Sequence, residues 1–222
     1  MMEETILFDL DGTLTDPKLG ITRCVRYALE SFGIVEEDLS RLECFIGPPL
    51  KEQFMEYAGF SEKQAAQAVA KYRERFQTVG IFENGVFDGI SDMLESLRLL
   101  GFRIGLASSK PEVYARRILE HFDLIRFMDE VTGSELSGER TRKAEVIAEA
   151  MRRMGTTPAQ TIMVGDRKHD IEGAREKGLF CIGVLFGYGS REELTQAGAD
   201  YLCATVAELQ KALSERVWRK DR

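Results

Sequence analysis

Two aspartates, Asp9 and Asp11, stand at the end of a short apolar run near the N-terminus. The run, residues 5–8, is β-branched and aromatic, which predicts a buried strand. On an extended backbone, residues i and i+2 point to the same side, so the two carboxylates would face one spot. They would repel one another there unless a positive group lies between them or one of them is protonated. A hard divalent cation such as Mg²⁺, which prefers oxygen ligands, meets that requirement.

The bulk composition is that of a globular chain with room for one sizeable core or for a core and a smaller domain. Of the 222 residues, 44% are hydrophobic and 30% are charged. The net charge of -7 disfavours a surface for nucleic acid or anionic lipid, although a local cationic site can still bind an anionic substrate. The four scattered cysteines form no Cys-x-x-Cys pair, and neither a signal peptide nor a membrane-spanning run is evident. We therefore expect a cytoplasmic protein with reduced thiols.

Residues 18–83 carry helical patterns and no strand pattern. Predicted helices lie at residues 21–32, 36–43, 50–57 and 61–78. Ser61, with Gln64 three residues later, fits a capping box at the start of the last of these helices. Pro48 and Pro49 cannot continue a helix and predict a loop. The segment is therefore expected to form an all-helical inserted domain.

From residue 84 onward, strands and helices alternate. Predicted strands lie at residues 102–107, 128–132, 161–164 and 180–185, and predicted helices at 89–100, 111–122, 142–154 and 169–177, with two short helices that begin at Ser190 and Thr205. Such alternation predicts βαβ units and a parallel sheet with helices on both faces, an α/β fold. Residues 1–17 and 84–222 would form this domain. Ligands of such sheets bind at the carboxyl ends of the strands.

Ser108, Ser109 and Lys110 follow the second predicted strand, next to the predicted start of a helix. Hydroxyl and backbone N–H groups at such a junction bind anions. Ser109 also fits a helix N-cap, because Glu112 stands three residues later and Pro111 would lie in the first turn. Ser108 is the better candidate for a phosphate contact because it lies nearer to the strand.

Lys143 opens a predicted helix, where a cation opposes the helix dipole. That mismatch favours a functional cation over a solvated one. Arg140 and Arg142 stand close by and compete for the same role.

Asp166 and Asp170 mark the end of a later strand and the first turn of the next helix. A carboxylate that follows an apolar strand directly, as Asp166 does, needs a partner. Asp170 has a second explanation, because a negative charge is favourable in the first turn of any helix. His169 between them is expected to be a solvated flanking residue.

In chain order, these residues resemble the four motifs of the haloacid dehalogenase superfamily, in its phosphatase branch. Residues 9–14, Asp-Leu-Asp-Gly-Thr-Leu, resemble the first motif, Ser108 the second, Lys143 the third, and Gly165-Asp166 with Asp170 the fourth. The helical insert after the first motif is similar to the C1-type cap of phosphoglycolate phosphatase-like enzymes. The resemblance implies a Rossmann-like core with this cap.

The resemblance also implies an enzyme, a Mg²⁺-dependent phosphatase of a small phosphorylated metabolite. Phosphoglycolate, a nucleoside 5′-monophosphate and a sugar phosphate are all candidates. Asp9 would form an aspartyl-phosphate, and Asp11 would act as acid and then as base. The Asp9 carboxylate, the Asp11 backbone carbonyl and Asp166 would hold the metal, and Asp170 would orient a water of that metal. Phosphate contacts would come from Thr13, Ser108, Ser109 and Lys143.

Substrate choice and the alternatives to hydrolysis rest on weaker patterns. Gly47, Pro48 and Lys51 are candidates for substrate contacts from the cap, and an ordinary helix connector with a solvated lysine explains them equally well. A phosphosugar mutase and a non-catalytic phosphate-binding regulator are the alternative functions. A dehalogenase is disfavoured, because that branch does not need Asp11 as an acid and base. We expect a monomer or homodimer with neither a nucleic-acid nor a membrane partner.

Overall fold

The computed structural model describes residues 4–219. The chain forms two compact units. The larger unit contains the residues up to Thr15 and those from Val86 onward, and the smaller unit is Asp16–Gly85. The sequence pattern predicts these boundaries two residues away, at 17/18 and 83/84. The chain passes from one unit to the other through two short strands.

The helices and strands have the following bounds. The strands are β1 (Thr5–Phe8), β2 (Thr15–Asp16), β3 (Gly85–Val86), β4 (Arg103–Pro111), β5 (Glu130–Ser134), β6 (Thr161–Gly165), β7 (Phe180–Val184) and β8 (Tyr201–Cys203). The α-helices are α1 (Lys18–Glu30), α2 (Leu50–Ala58), α3 (Glu62–Phe76), α4 (Ile90–Leu99), α5 (Glu112–His121), α6 (Lys143–Met154), α7 (Lys168–Glu176), α8 (Arg191–Ala197) and α9 (Val206–Ser214). Short 3-10 helices cover Leu39–Phe45, Gly80–Phe82, Ile125–Phe127, Pro158–Gln160 and Val217–Arg219.

The larger unit is built on a parallel sheet. Within residues 4–219, six strands form this sheet in the order β5-β4-β1-β6-β7-β8, and the neighbouring pairs run parallel. Phe8, the last residue of β1, is paired with Leu106 on one side and with Val164 on the other. The predicted α/β class is therefore confirmed. The residues that follow β1, β4 and β6 must meet at one edge of the sheet, because parallel strands end on the same side.

The core of the larger unit fixes two helices against this sheet. Leu7 of β1, Met163 of β6, Ile147 of α6 and Ile171 of α7 belong to one buried hydrophobic cluster. Fully burying a side chain of this size stabilises a fold by about 1.5–3 kcal/mol. Because α6 and α7 are held in this way, their first turns lie at the carboxyl edge of the sheet.

The smaller unit is helical, as the sequence predicted for this stretch. Ser61 accepts the N–H of Gln64, and the Gln64 side chain accepts the N–H of Ser61, so the predicted capping box is present. The helix predicted at 36–43 is instead a 3-10 helix at Leu39–Phe45. The Asp38 side chain accepts the N–H of Ser40 and thereby sets its start three residues later.

One further prediction differs from the structure, and one strand of the sheet was not predicted. Ser109 is not a helix N-cap, because β4 continues through it to Pro111, the residue before α5. The pairing of β4 with β5 shifts register between Ala107 and Pro111, which carries the strand past the point where the apolar pattern ends. Strand β8 was not predicted, because three residues are too few to show an alternating pattern.

Among the described helices, none has the length and apolar character that crossing a bilayer requires. The four cysteines all lie within residues 4–219, and no disulfide joins them. Cytoplasmic location and a monomeric or homodimeric state stay predictions.

Candidate active site

The carboxyl end of β1 brings three aspartates together. Asp9 follows β1 directly, and its backbone N–H donates to Val164 O of β6 at 2.9 Å. Asp166 follows β6, and Asp170 lies in the first turn of α7. Each of the three offers a carboxylate oxygen, and these oxygens lie within 4.8 Å of one another. All three side chains are buried, so their charges repel with little solvent between them.

Lys143, the first residue of α6, supplies a cation to this cluster. Its Nζ lies 2.5 Å from Asp9 Oδ1 and 2.6 Å from Asp170 Oδ1, and it donates to Ala107 O at 2.9 Å. An ammonium group has three N–H donors, so these three acceptors use all of them. Burial alone would lower the pKa of Lys143, but the charges of Asp170 and Asp9 outweigh burial and hold that pKa above its ordinary value.

A second cation, Lys110, contacts Asp11. Lys110 Nζ lies 2.7 Å from Asp11 Oδ2, and both side chains are largely buried. The other oxygen, Asp11 Oδ1, is buried and has no hydrogen-bond partner within the described residues. Burial raises the pKa of Asp11, and the charge of Lys110 offsets part of that rise. In the sequence Lys110 stands directly after Ser108 and Ser109, and this order does not predict its pairing with Asp11. The one signal for this pair in the sequence is the position of Lys110 just after a predicted strand.

The loop after β7 holds Asp166. The backbone N–H of Tyr188 donates to Asp166 Oδ2 at 2.8 Å, whereas Asp166 Oδ1 is buried and has no partner in the part of the chain that is described. Glycines allow this close approach, because a Cβ on Gly12 would lie 2.1 Å from Asp166 Oδ2 and a Cβ on Gly187 2.5 Å from the same oxygen. Burial raises the pKa of Asp166 well above its ordinary value, and the neighbouring charges of Asp170 and Asp9 raise it further.

Asp170 contacts both the first turn of α7 and Lys143. Its Oδ2 accepts the N–H of Arg167 at 3.0 Å, and its Oδ1 lies beside Lys143. Burial raises the pKa of Asp170, and the charge of Lys143 counters this rise. Both expected roles of this carboxylate, a favourable charge in the first turn and a member of the site, are compatible with these contacts.

A divalent cation with oxygen ligands fits this arrangement. Asp9, Asp11, Asp166 and Asp170 carry four carboxylates, and the two lysines described above carry two ammonium groups. If all are ionised, these six side chains have an excess of two negative charges, which one divalent cation would balance. Asp166 Oδ1, which has no hydrogen-bond partner among the described residues, is the kind of metal ligand expected at such a site. The carboxylates that lie close enough together to share a cation are those of Asp9, Asp166 and Asp170, whereas the resemblance implies the Asp11 carbonyl as the ligand beside Asp9 and Asp166.

The residues predicted to contact phosphate occupy different environments. Thr13 is fully buried, and its hydroxyl has no partner within residues 4–219. Ser108 is also buried, and its Oγ accepts the N–H of Lys110 at 3.3 Å. The carbonyl of Ser109 accepts the hydroxyl of Ser134 at 2.8 Å, which ties the ends of β4 and β5 together.

The predicted cap contacts lie in the smaller unit. Gly47 has φ +101°, a turn conformation that favours glycine, and Pro48 follows it. Lys51 forms a surface ion pair with Glu62 at 3.3 Å. Their contact with substrate stays a prediction.

Comparisons with known proteins identify the family. The profile of the family described as haloacid dehalogenase-like hydrolase matches residues 6–184. A 5′-nucleotidase of Pseudomonas aeruginosa is 50% identical over 208 residues, which cover 94% of each chain. The tyrosine-protein kinase PtkA of Mycobacterium tuberculosis is 36% identical over 214 residues, covering 95% of this chain and 72% of that protein. The crystal structure of a predicted phosphatase from Clostridium acetobutylicum has a TM-score of 0.94 and 47% identity, with coverage of 97% and 100%. The chain therefore belongs to the haloacid dehalogenase-like hydrolases, as a phosphatase of that family.

Proposed function

We propose that this phosphatase is Mg²⁺-dependent and hydrolyses small phosphomonoesters through an aspartyl-phosphate on Asp9. The observation that carries the proposal is the arrangement of three groups at one strand end. Asp9 is held by the ammonium of Lys143, and two residues later Asp11 keeps one carboxylate oxygen without a partner among the described residues. A nucleophile beside a cation, with a proton carrier close by, is what transfer of a phosphoryl group requires.

The first half-reaction would transfer the phosphoryl group to the protein. A carboxylate oxygen of Asp9 forms a bond to phosphorus while the bond from phosphorus to the ester oxygen breaks. The leaving oxygen takes a proton from the Asp11 carboxyl. The hydroxyl groups of Thr13 and Ser108 would donate to the phosphoryl oxygens, and the nearby positive charge of Lys143 would stabilise the negative charge on those oxygens.

The second half-reaction would release inorganic phosphate. The Asp11 carboxylate accepts a proton from a water molecule whose oxygen attacks phosphorus, and the bond from phosphorus to Asp9 breaks. Asp9, Asp166 and the carbonyl of Asp11 would hold the Mg²⁺ ion, which would neutralise charge on the transferring group. Asp170 would support the same set through its contact with Lys143.

Nucleoside 5′-monophosphates are the substrate class that we propose first. The support is the relative named as a 5′-nucleotidase, which is 50% identical across nearly the whole of both chains. A nucleoside would need contacts beyond the phosphate, and the cap residues Gly47, Pro48 and Lys51 are our candidates for them. The chemistry at Asp9 and Asp11 is independent of that choice.

The test is phosphate release from a panel of phosphomonoesters, each with Mg²⁺ and with EDTA. The panel contains nucleoside 5′-monophosphates, phosphoglycolate, hexose phosphates and p-nitrophenyl phosphate. We expect release with Mg²⁺, none with EDTA, and the highest kcat/KM for a nucleoside 5′-monophosphate. Release that persists in EDTA would contradict the metal assignment. Interconversion of hexose phosphates without release would indicate a mutase, and phosphoryl transfer from ATP to a tyrosine peptide would indicate a kinase.

A further inference from the structure

The ammonium of Lys110 is a second buried cation at the carboxyl edge of the sheet, and the four motifs do not include it. The Lys110 side chain is 7% exposed and that of Asp11 12% exposed, with 2.7 Å between Nζ and Oδ2. Holding a lysine in so little solvent is costly unless the lysine has a charged partner. The charged partner of Lys110 is Asp11, the residue that would carry the proton. This buried pair therefore has a candidate role in the reaction, which an ion pair on the protein surface would not have.

Lys143 cannot take over this contact without losing another. Its three N–H donors are committed to Asp9, Asp170 and the carbonyl of Ala107. A separate cation is therefore needed to hold Asp11, and within residues 4–219 Lys110 supplies it. The two lysines therefore have separate roles, because Lys143 holds the carboxylate of Asp9 and Lys110 holds that of Asp11.

The irregular end of β4 determines the position of Lys110. The register of β4 against β5 shifts between Ala107 and Pro111, so this segment departs from regular pairing. Gly133 of β5 makes the arrangement feasible, because a Cβ on it would lie 2.6 Å from the carbonyl oxygen of Lys110. Ser134 then ties the strand end by donating its hydroxyl to the carbonyl of Ser109.

We propose that Lys110 is the positioning residue of Asp11, and this inference rests on the acid and base role proposed above for Asp11. The ammonium holds Oδ2, so Oδ1, which has no partner in the described structure, is the oxygen that exchanges the proton. In the first half-reaction, Oδ1 gives its proton to the ester oxygen as the bond from that oxygen to phosphorus breaks. In the second, Oδ1 takes a proton from the attacking water.

If Lys110 positions Asp11, the effect of removing Lys110 on kcat/KM should depend on the leaving group of the substrate. An alkoxide, as released from a nucleoside 5′-monophosphate, is a poor leaving group and needs the proton. A p-nitrophenolate ion is stable and leaves without one. Because kcat/KM reports the steps up to the departure of the leaving group, a misplaced Asp11 should lower it for the alkyl ester far more than for the aryl ester.

The test compares Lys110→Met with the wild type on both esters. We expect kcat/KM for the alkyl ester to fall by about 10²-fold, the lower end of what a placed acid contributes. For p-nitrophenyl phosphate, kcat/KM should change much less, and a burst of nitrophenolate should precede slow turnover, because water attack still needs the base. Lys211→Met removes the same charge from an exposed helix position of the same unit and should match the wild type.

A second variant keeps the test informative if Lys110→Met does not fold with Asp11 left unpaired. Lys110→Met combined with Asp11→Asn removes both buried charges, and its kcat/KM should equal that of Asp11→Asn alone, because Lys110 acts through Asp11. An equal loss on both esters, or a further loss in the double variant, would overturn the inference and leave the proposed hydrolysis standing. A wild type without Mg²⁺-dependent phosphate release would overturn both.

Discussion

Lys143 Nζ lies 2.5 Å from Asp9 Oδ1, although 134 residues separate the two along the chain. The contact forms because β1 and the first turn of α6 meet at one edge of the sheet, where the hydrophobic cluster below them fixes both elements. A carboxylate held in this way is oriented before any substrate arrives, so the lysine supplies both position and charge neutralisation.

Asp9→Asn should abolish turnover and leave the fold intact. An amide of nearly the same shape keeps the backbone contact to Val164 but cannot form the acyl phosphate. We expect kcat to fall by at least ~10³-fold, as for other enzymes that lose their nucleophile. Phosphate release and far-UV circular dichroism provide the two readouts.

The matched control is Asp88→Asn, which makes the same chemical change at an exposed position of the larger unit. It should retain the wild-type rate. Substantial turnover by Asp9→Asn, with no back-conversion of the amide to the acid, would remove Asp9 as the nucleophile.

Mg²⁺ should stabilise the folded chain even when no substrate is present. A cation that balances the crowded carboxylates binds the folded state alone, so at 100 times its Kd it adds about 2.7 kcal/mol. For a chain of this size, that corresponds to a rise in Tm of roughly 5–11 °C. Differential scanning fluorimetry with and without Mg²⁺ measures the shift.

Asp166→Asn tests whether that stabilisation comes from the proposed site. The variant replaces the carboxylate whose Oδ1 has no partner within residues 4–219, while the N–H of Tyr188 keeps an oxygen to bind. Its Tm should no longer respond to Mg²⁺, and its metal-free Tm should not fall, because an anion has left a crowded cluster. An undiminished Mg²⁺ response would place the cation elsewhere.

Gly12→Ala should damage the site through one methyl group. The new Cβ would lie 2.1 Å from Asp166 Oδ2, at a residue with φ +84°. Backbone strain of this kind costs about 1–3 kcal/mol, and the displaced carboxylate would also weaken the Mg²⁺ response. Gly101→Ala separates the two effects, because Gly101 has the same φ of +84° and, apart from its chain neighbours, no atom of the described residues lies within 4 Å of its Cβ position. Equal losses of Mg²⁺ response in both variants would contradict a specific role for Gly12.

The fold and the meeting point of Asp9 and Asp166 could be predicted from the sequence because both follow from general rules, whereas the place of Lys143 was implied by the resemblance to the third motif of the family. Apolar runs of four to six residues predict buried strands, and parallel strands end at one edge. The bond from Tyr188 to Asp166 could not be predicted, because it depends on the path of the loop after β7. The pair of Lys110 with Asp11 depends in the same way on a register shift within β4. Both are tertiary features with no periodic signal.

Glu83 should make the stability of the smaller unit depend on pH. Its carboxylate lies 2.6 Å from Arg23 and 2.6 Å from Arg75, and hydrogen bonding to Arg75 lowers the pKa of Glu83 below its ordinary value of 4.5. A lowered pKa means that this stabilisation is complete above pH 4.5 and is lost as the pH falls through the pKa of the folded state. Glu83→Gln should therefore cost about 1–3 kcal/mol at pH 7 and progressively less below pH 4.5.

Hydrogen exchange read by mass spectrometry over residues Asp16–Gly85 measures this effect in the smaller unit itself. Fluorescence of Trp218 would miss it, because that tryptophan belongs to the larger unit. Glu83→Gln should exchange faster than the wild type at pH 7, and the difference should narrow as both are acidified, since protonated Glu83 and glutamine are alike in charge. Glu37→Gln, at an exposed position outside the helices of the same unit, should exchange as the wild type does at every pH. A difference between Glu83→Gln and the wild type that stays constant down to pH 3 would show that the ion pairs with Arg23 and Arg75 do not stabilise this unit.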